Sequence, residues 1–319
     1  MSAGSESVLV VGAGASMYFG FPSGSELKQL LKRDFHVVYP PLMTDREMAE
    51  LAAADIGRAR DFRARCEFSE SETIDQLIAR FPKHRDSAAL MVAAALCECH
   101  RKMQIETQQP GWHRPLYLHA FADSQSMPKP IWTPKLTVVT FNYDIAIEVT
   151  LSRKLFADYE IDFDEAWQFV HSLPIHHVHG KLQLPMSYGS PRREPMKLEW
   201  RELVKMASGL RFAFEASDSD QMRPVREAIW RADRIGFVGF GFNEANLRKI
   251  GIDPTLPEWR RKVRLLVSTA KLSPEAMKSV AALTGGIGFY GGTDFDLHHF
   301  VDKFLGDKLA SAPLQARYS

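Results

Sequence analysis

Apolar runs of two kinds divide the chain. Residues 8–11 are four apolar residues with no polar alternation, at the head of the stretch VLVVGAGASMYFGFP, 8–22. Such a run suits a parallel strand covered on both faces. LTVVT, 136–140, repeats it, and further strands are expected at 175–178, 235–240, 263–267 and 288–290. Between the first two strands the pattern is helical. A helix over 23–35 has Ser23 or Ser25 as its N-cap and Leu27, Leu30 and Leu31 on its core face. Residues 44–67 are rich in Ala, Arg and Glu, 87–106 carry a stripe of Leu90, Met91, Ala94 and Leu96, and 113–121 add a shorter piece. Later helices are expected at 199–214, 221–231, 243–250, 273–283, where Ser273-Pro274-Glu275 forms a good start, and 294–309.

Strand and helix in alternation predict an α/β fold, a Rossmann-like parallel sheet flanked by helices. The helical block after the first strand is too long for one crossover helix, so it is expected as a large insertion. The implied division is a core of 1–24 and 130–310 with a helical subdomain of 25–129, the junction marked by Pro128, Pro130 and Pro134.

Composition narrows the function classes. Of 319 residues, 45% are apolar and 25% charged, and 40 Lys and Arg balance 39 Asp and Glu, so no global field draws in nucleic acid or an anionic membrane. Local basic clusters at Arg192 and Arg193 and at Arg260, Arg261, Lys262 and Arg264 read as solvated surface. Cys66, Cys97 and Cys99 form no CxxC pair, which excludes a disulfide framework and a four-cysteine zinc site. A reducing cytoplasm is expected: residues 1–7 lack the basic and apolar regions of a signal peptide, and the longest apolar run, 88–97, is too short to cross a membrane.

Ligands of open parallel sheets sit beyond the carboxyl ends of the strands. Four such positions carry unusual groups: GAGAS at 12–16, TFNYD at 140–144, HVHGK at 177–181 and GFGFNEANL at 239–247. Gly12 and Gly14 allow a tight turn and close backbone approach, and the helix start that follows offers N–H groups to a phosphate. Met17 stands where the third glycine of a dehydrogenase fingerprint belongs, so a tight turn without ligand stays open as an alternative. Asn142 and Asp144 are equally suited to capping the next helix, and His179 to a satisfied half-buried ring. His176, His177 and His179 alternate across a strand with no carboxylate or cysteine at ligand spacing, which argues against a metal.

In this order the motifs resemble the sirtuin-like domain, and more closely its bacterial antiphage-defence branch of NAD-consuming proteins. The resemblance rests on GAGAS with GFP at 20–22, SESETIDQLI at 69–78, TFNYD, the His179-Gly180 pair and GFGFNEANL, spanning about 10 to 250. It implies that Gly12, Ala13, Gly14 and Ser16 cradle the diphosphate of NAD, with Pro22 and Thr140 beside the cofactor. Asn142 would orient the attacking water at the ribose, Asp144 lie near the carboxamide, and His179 act as general base or ribose-hydroxyl partner. Gly239, Phe240, Gly241, Asn243 and Asn246 would line the adenosine side. Nicotinamide is already a cationic leaving group, so positioning matters more than a strong acid, and an imidazole near neutrality is suited to take the proton.

The deacylating sirtuins have a four-cysteine zinc module after the histidine; here no cysteine follows Gly180, and Pro22 leads into Ser23-Gly24-Ser25 instead of Asp-Phe-Arg. Water is therefore the expected acceptor. The resemblance implies an NAD hydrolase acting by NAD depletion, without a metal, controlled by homo-oligomer assembly or by a partner such as an ATPase, an Argonaute-type protein or another sensor. An NAD- or ADP-ribose-sensing module, an ADP-ribosyltransferase and, last, a deacylase are the alternatives.

Overall fold

Among the described residues six short strands form the centre of the molecule: β1 (Ser7–Val11), β2 (Leu136–Thr140), β3 (Ile175–His177), β4 (Arg234–Val238), β5 (Val263–Ser268) and β6 (Phe289–Gly291). They come from a computed structural model that describes residues 6–32, 46–71, 73–103, 111–122, 129–133, 135–190, 199–213, 215, 219–256, 259, 263–268, 274–284, 289–291 and 297–305. Several expectations lie outside the described residues: the ends of the helices expected over 23–35, 44–67, 87–106, 199–214 and 294–309, Ser273, Gly288, Pro128, Pro134, Arg192, Arg193 and 260–262.

All neighbouring strands are parallel, in the order β3-β2-β1-β4-β5-β6. This is a doubly wound α/β sheet with its crossing point between β1 and β4. Alternate side chains of β1 go to opposite faces. Leu9 and Val11 join Leu136, Val138 and Val238 in one cluster, while Val8 and Val10 join Val139, Ile235 and Phe237 in the other. Both faces are dry, so the unbroken apolar runs are what this sheet requires, each buried Val or Leu contributing roughly 1.5–3 kcal/mol.

Helices Arg46–Phe68, Ile74–Arg80, Arg85–Lys102 and His113–Ala120 lie between β1 and β2. Arg85–Lys102 is buried along most of its length, and its run of alanines lets neighbouring helices approach closely. It packs with Phe62, Leu77 and Leu203 in the cluster that holds Leu9 and Val138. The opposite face is covered by Met222, Val225 and Ile229 of helix Ser219–Arg231 and by Leu247 and Leu283.

Some boundaries differ from expectation for visible reasons. β4 stops at Val238, not at residue 240, because Gly239 takes a φ of 60° and turns the chain out of the sheet. The helix expected over 199–214 ends at Ala207, since Leu210 bridges to Gly180. Between β2 and β3 the chain forms Ala146–Asp158, the helix that the capping alternative for Asp144 requires, and Phe163–His171, which the pattern reading does not single out.

Candidate active site

A cleft of roughly 570 Å³ opens beyond the carboxyl ends of β1, β2, β3 and β4. That volume lies within the range of small-molecule sites. Every motif singled out from the sequence contributes to its wall: Gly12 and Ala13 after β1, Phe21 and Pro22 of GFP, Thr73 to Gln76 of SESETIDQLI, Phe141 to Asp144 after β2, His179 after β3, and Phe240, Gly241, Asn243 and Asn246 after β4. Gly14, Ser16, Thr140 and Gly239 do not line the cleft.

The glycines serve the fold first. The Gly12 N–H donates to the Val238 carbonyl (2.9 Å) and the Gly14 N–H to the Gly239 carbonyl (2.9 Å), so these two donors are engaged inside the protein. A Cβ on Gly12 would lie 2.5 Å from the Gly239 oxygen, and one on Gly239 would lie 2.0 Å from the Ala15 nitrogen. The close approach that glycine permits here is between two turns of the sheet. Phe242, at φ 51°, is a second left-handed residue in the same turn, held between Phe237 and Phe240.

Asn142 is the best-fixed polar group in the cleft. Its Nδ2 donates to Ser16 Oγ (2.7 Å) and to the Gly12 carbonyl (3.2 Å), and its backbone N–H to Thr140 Oγ1 (3.1 Å). Because the Gly12 oxygen only accepts, the amide nitrogen must face it, and Oδ1 is turned the other way. That Oδ1 is buried and has no hydrogen-bond partner among the described residues. An unpaired buried acceptor is costly, and a donor brought by a ligand or a water would satisfy it. Asp144 supports this arrangement: its carboxylate accepts from the Ser16 hydroxyl and, at 3.0 Å, from the Ala146 N–H at the start of helix Ala146–Asp158. Burial pushes its carboxyl up to about 6 against those bonds. Ile145 is the N-cap of that helix and has no side-chain cap bond, so of the two residues only Asp144 bonds the helix start, through the Ala146 N–H, and Asn142 does not.

His179 is buried against Phe141 and Tyr143. Lys249 Nζ stands 3.4 Å from its Nδ1, and the Asn246 side chain also bonds the ring. Burial first, and the ammonium second, push the ring down to about 3. With an ammonium facing Nδ1, the single ring proton sits on Nε2. The expectation of an imidazole titrating near neutrality is therefore not met; His179 is a neutral hydrogen-bonding group. Asn243 Oδ1 caps helix Glu244–Lys249 by accepting from Ala245 N–H (2.9 Å), a structural role.

The sequence reading gave no role to three sets of groups. Glu148 faces His177 Nε2 (2.8 Å) and Lys181 Nζ (3.1 Å), while His177 Nδ1 donates to the Asn142 carbonyl (3.0 Å), so a buried ion cluster braces the Asn142 turn from behind. Asp75 enters the cleft from the helical region, its Oδ1 accepting from Ala213 N–H (2.7 Å) and Tyr143 OH (3.3 Å). Lys249 meets His179. Asp75 lies within SESETIDQLI, a motif the sequence singles out without giving this carboxylate a role, and it stands in the first turn of Ile74–Arg80, inside the capping box of Thr73 and Gln76. Among the described residues no group of His, Cys, Asp or Glu side chains is arranged to hold a metal, and no helix is long and apolar enough to cross a membrane.

No protein-family model and no curated protein matches the chain. Solved structures do. One is a Sir2 homologue–NAD complex, 14% identical, covering 94% of this chain and 88% of that one at a TM-score of 0.43. Another is a mutant Sir2 homologue in complex with ADP ribose, 14% identical, covering 94% and 91% at 0.41. A third, Sir2Tm bound to a propionylated peptide, is 11% identical and covers 93% and 91% at 0.40. Likeness at this level assigns no chemistry to the chain; the residues of the cleft must do so.

Proposed function

We propose that this protein is an NAD+ glycohydrolase that uses water to release nicotinamide and ADP-ribose. The observation that carries the reading is the unpaired Oδ1 of Asn142, held by Ser16 and Gly12 in a cleft that His179 shares. The ordered motifs that resemble NAD-consuming sirtuin-like domains all reach this one cleft, which supports the same substrate. The fit is good: Gly241 has open space around its Cα, and Phe240 offers an apolar wall for the adenosine side.

In this reading Asn142 positions the water or a ribose hydroxyl without adding charge, and Ser16 and Asp144 keep its amide in place. His179 holds a ribose hydroxyl through its neutral ring. The water oxygen bonds to ribose C1′ as the bond to nicotinamide breaks; the bonding pair leaves with nicotinamide and neutralises its ring, and the water gives up a proton. The absence of cysteine after Gly180 favours water over an acyl-lysine acceptor. Depletion of NAD harms a host cell, so control by homo-oligomer assembly, or by an activating partner such as an ATPase, Argonaute-type protein or other sensor, belongs to the proposal, as does a role in antiphage defence in the cytoplasm.

A second reading, a module that senses NAD or ADP-ribose without turnover, is favoured by the weak basicity of His179. Chromatography of NAD incubated with the protein separates the readings. Equal amounts of nicotinamide and free ADP-ribose are expected. Intact NAD that is nevertheless bound would support sensing, and label transferred to a macromolecule would support ADP-ribosyl transfer.

A further inference from the structure

With Lys249 Nζ facing its Nδ1, His179 is poorly placed to take the proton in the hydrolysis proposed above. We infer that Asp75, delivered by the helical region between β1 and β2, is the catalytic base that takes the proton from the attacking water; this rests on the hydrolase reading. Asp75 lines the same cleft as Asn142, Tyr143 and His179. Its position is fixed twice over: by the capped first turn of Ile74–Arg80, and by the Ala213 N–H and Tyr143 OH that converge on Oδ1. Among the described residues it forms no ion pair, unlike Glu148, whose charge is taken up by Lys181 and His177. Burial raises its carboxyl, which makes the carboxylate a better proton acceptor than a solvated one.

The rival carboxylate is Asp144. It also lines the cleft, but it is the more deeply buried of the two and its bonds run to Ser16 and the Ala146 N–H, behind Asn142. Asp75 is half-buried and therefore the more open to a water in the cleft. The step balances as a general-base hydrolysis: one O–H bond of water breaks, its proton goes to the Asp75 carboxylate, the oxygen bonds to C1′, and nicotinamide leaves with the bonding pair. A carboxylate at this place also offsets the positive charge that develops on the ribose.

Asp75→Asn tests the assignment, because an asparagine keeps an Oδ1 acceptor for Ala213 and Tyr143. Measured beside the wild type and Asp144→Asn, it should bind NAD within about threefold of wild type and release nicotinamide about 100-fold more slowly or worse. In Asp75→Ala, added azide or formate should restore part of the lost rate, which a merely structural role would not allow. Undiminished turnover in Asp75→Asn, or a loss confined to Asp144→Asn, or no rescue of Asp75→Ala, overturns the inference while leaving the hydrolase reading intact. Failure of the wild type itself to release nicotinamide overturns both.

Discussion

Two carboxylate clusters flank the turn that carries Asn142, and they are built from similar parts. Behind it, Glu148 meets His177 and Lys181 at 2.8 and 3.1 Å. In front, Asp75 meets Tyr143 with Lys249 nearby. Their environments act in opposite directions. Burial alone would raise both acids, yet the facing His177 and Lys181 hold Glu148 well below the usual carboxylate range, whereas Asp75 stays raised. Acids whose surroundings separate their proton affinities divide the labour of a site: the ion-paired one is committed to structure and the other is available for proton transfer.

Stability measurements should break this comparison if it is wrong. Glu148→Ala leaves His177 and Lys181 facing an empty site and should cost about 3–5 kcal/mol of unfolding free energy in urea, whereas Asp75→Asn should cost much less. Equal losses in the two variants would contradict the division.

A smaller effect concerns pH. Native His179 takes a proton at about 3 and the unfolded chain at about 6.5, so across that window the unfolded state binds more protons and stability falls as the pH falls, by roughly 1.4 kcal/mol per unit. Asp144 has the opposite sign. Its native carboxyl is protonated at about 6 and its unfolded one at 3.8, so stability rises as the pH falls between those values. In the wild type the two oppose each other. His113, which burial pushes down to about 4, acts in the same direction as His179, so His179→Gln should lose stability less steeply than the wild type on going from about pH 6.5 to about pH 4. A variant that loses stability as steeply as the wild type would show that His179 is not held neutral.

The smallest expected change sharpens the role of the helix that carries Asp75. Thr73→Ala removes the side chain that accepts from the Gln76 N–H and should cost about 1 kcal/mol, seen as faster hydrogen exchange across Ile74–Arg80. An unchanged exchange rate would mean that tertiary packing alone fixes Asp75.

Much of this architecture was legible in the residues. Runs without polar alternation marked β1 and β2, since a strand buried on both faces has no use for a polar residue, and the turns after the strands named most of the cleft. The bonding within the cleft was not legible. Gly12 and Gly14 read as a tight turn allowing close approach to a ligand, but their N–H groups go to Val238 and Gly239, partners more than two hundred positions away that only the β1–β4 pairing brings near. His179 read as an imidazole near neutrality because nothing close in the chain announces Lys249. Asp75 was legible as part of SESETIDQLI, but its place in the cleft was not, because only the fold sets Tyr143 and Ala213 against it.

Nicotinamide release by Asn142→Ala, measured beside NAD binding by the same protein, bears most directly on the cleft as a hydrolytic site. The amide's removal should lower the rate about 100-fold or more while NAD still binds. Release at the wild-type rate would place the chemistry elsewhere and contradict the account.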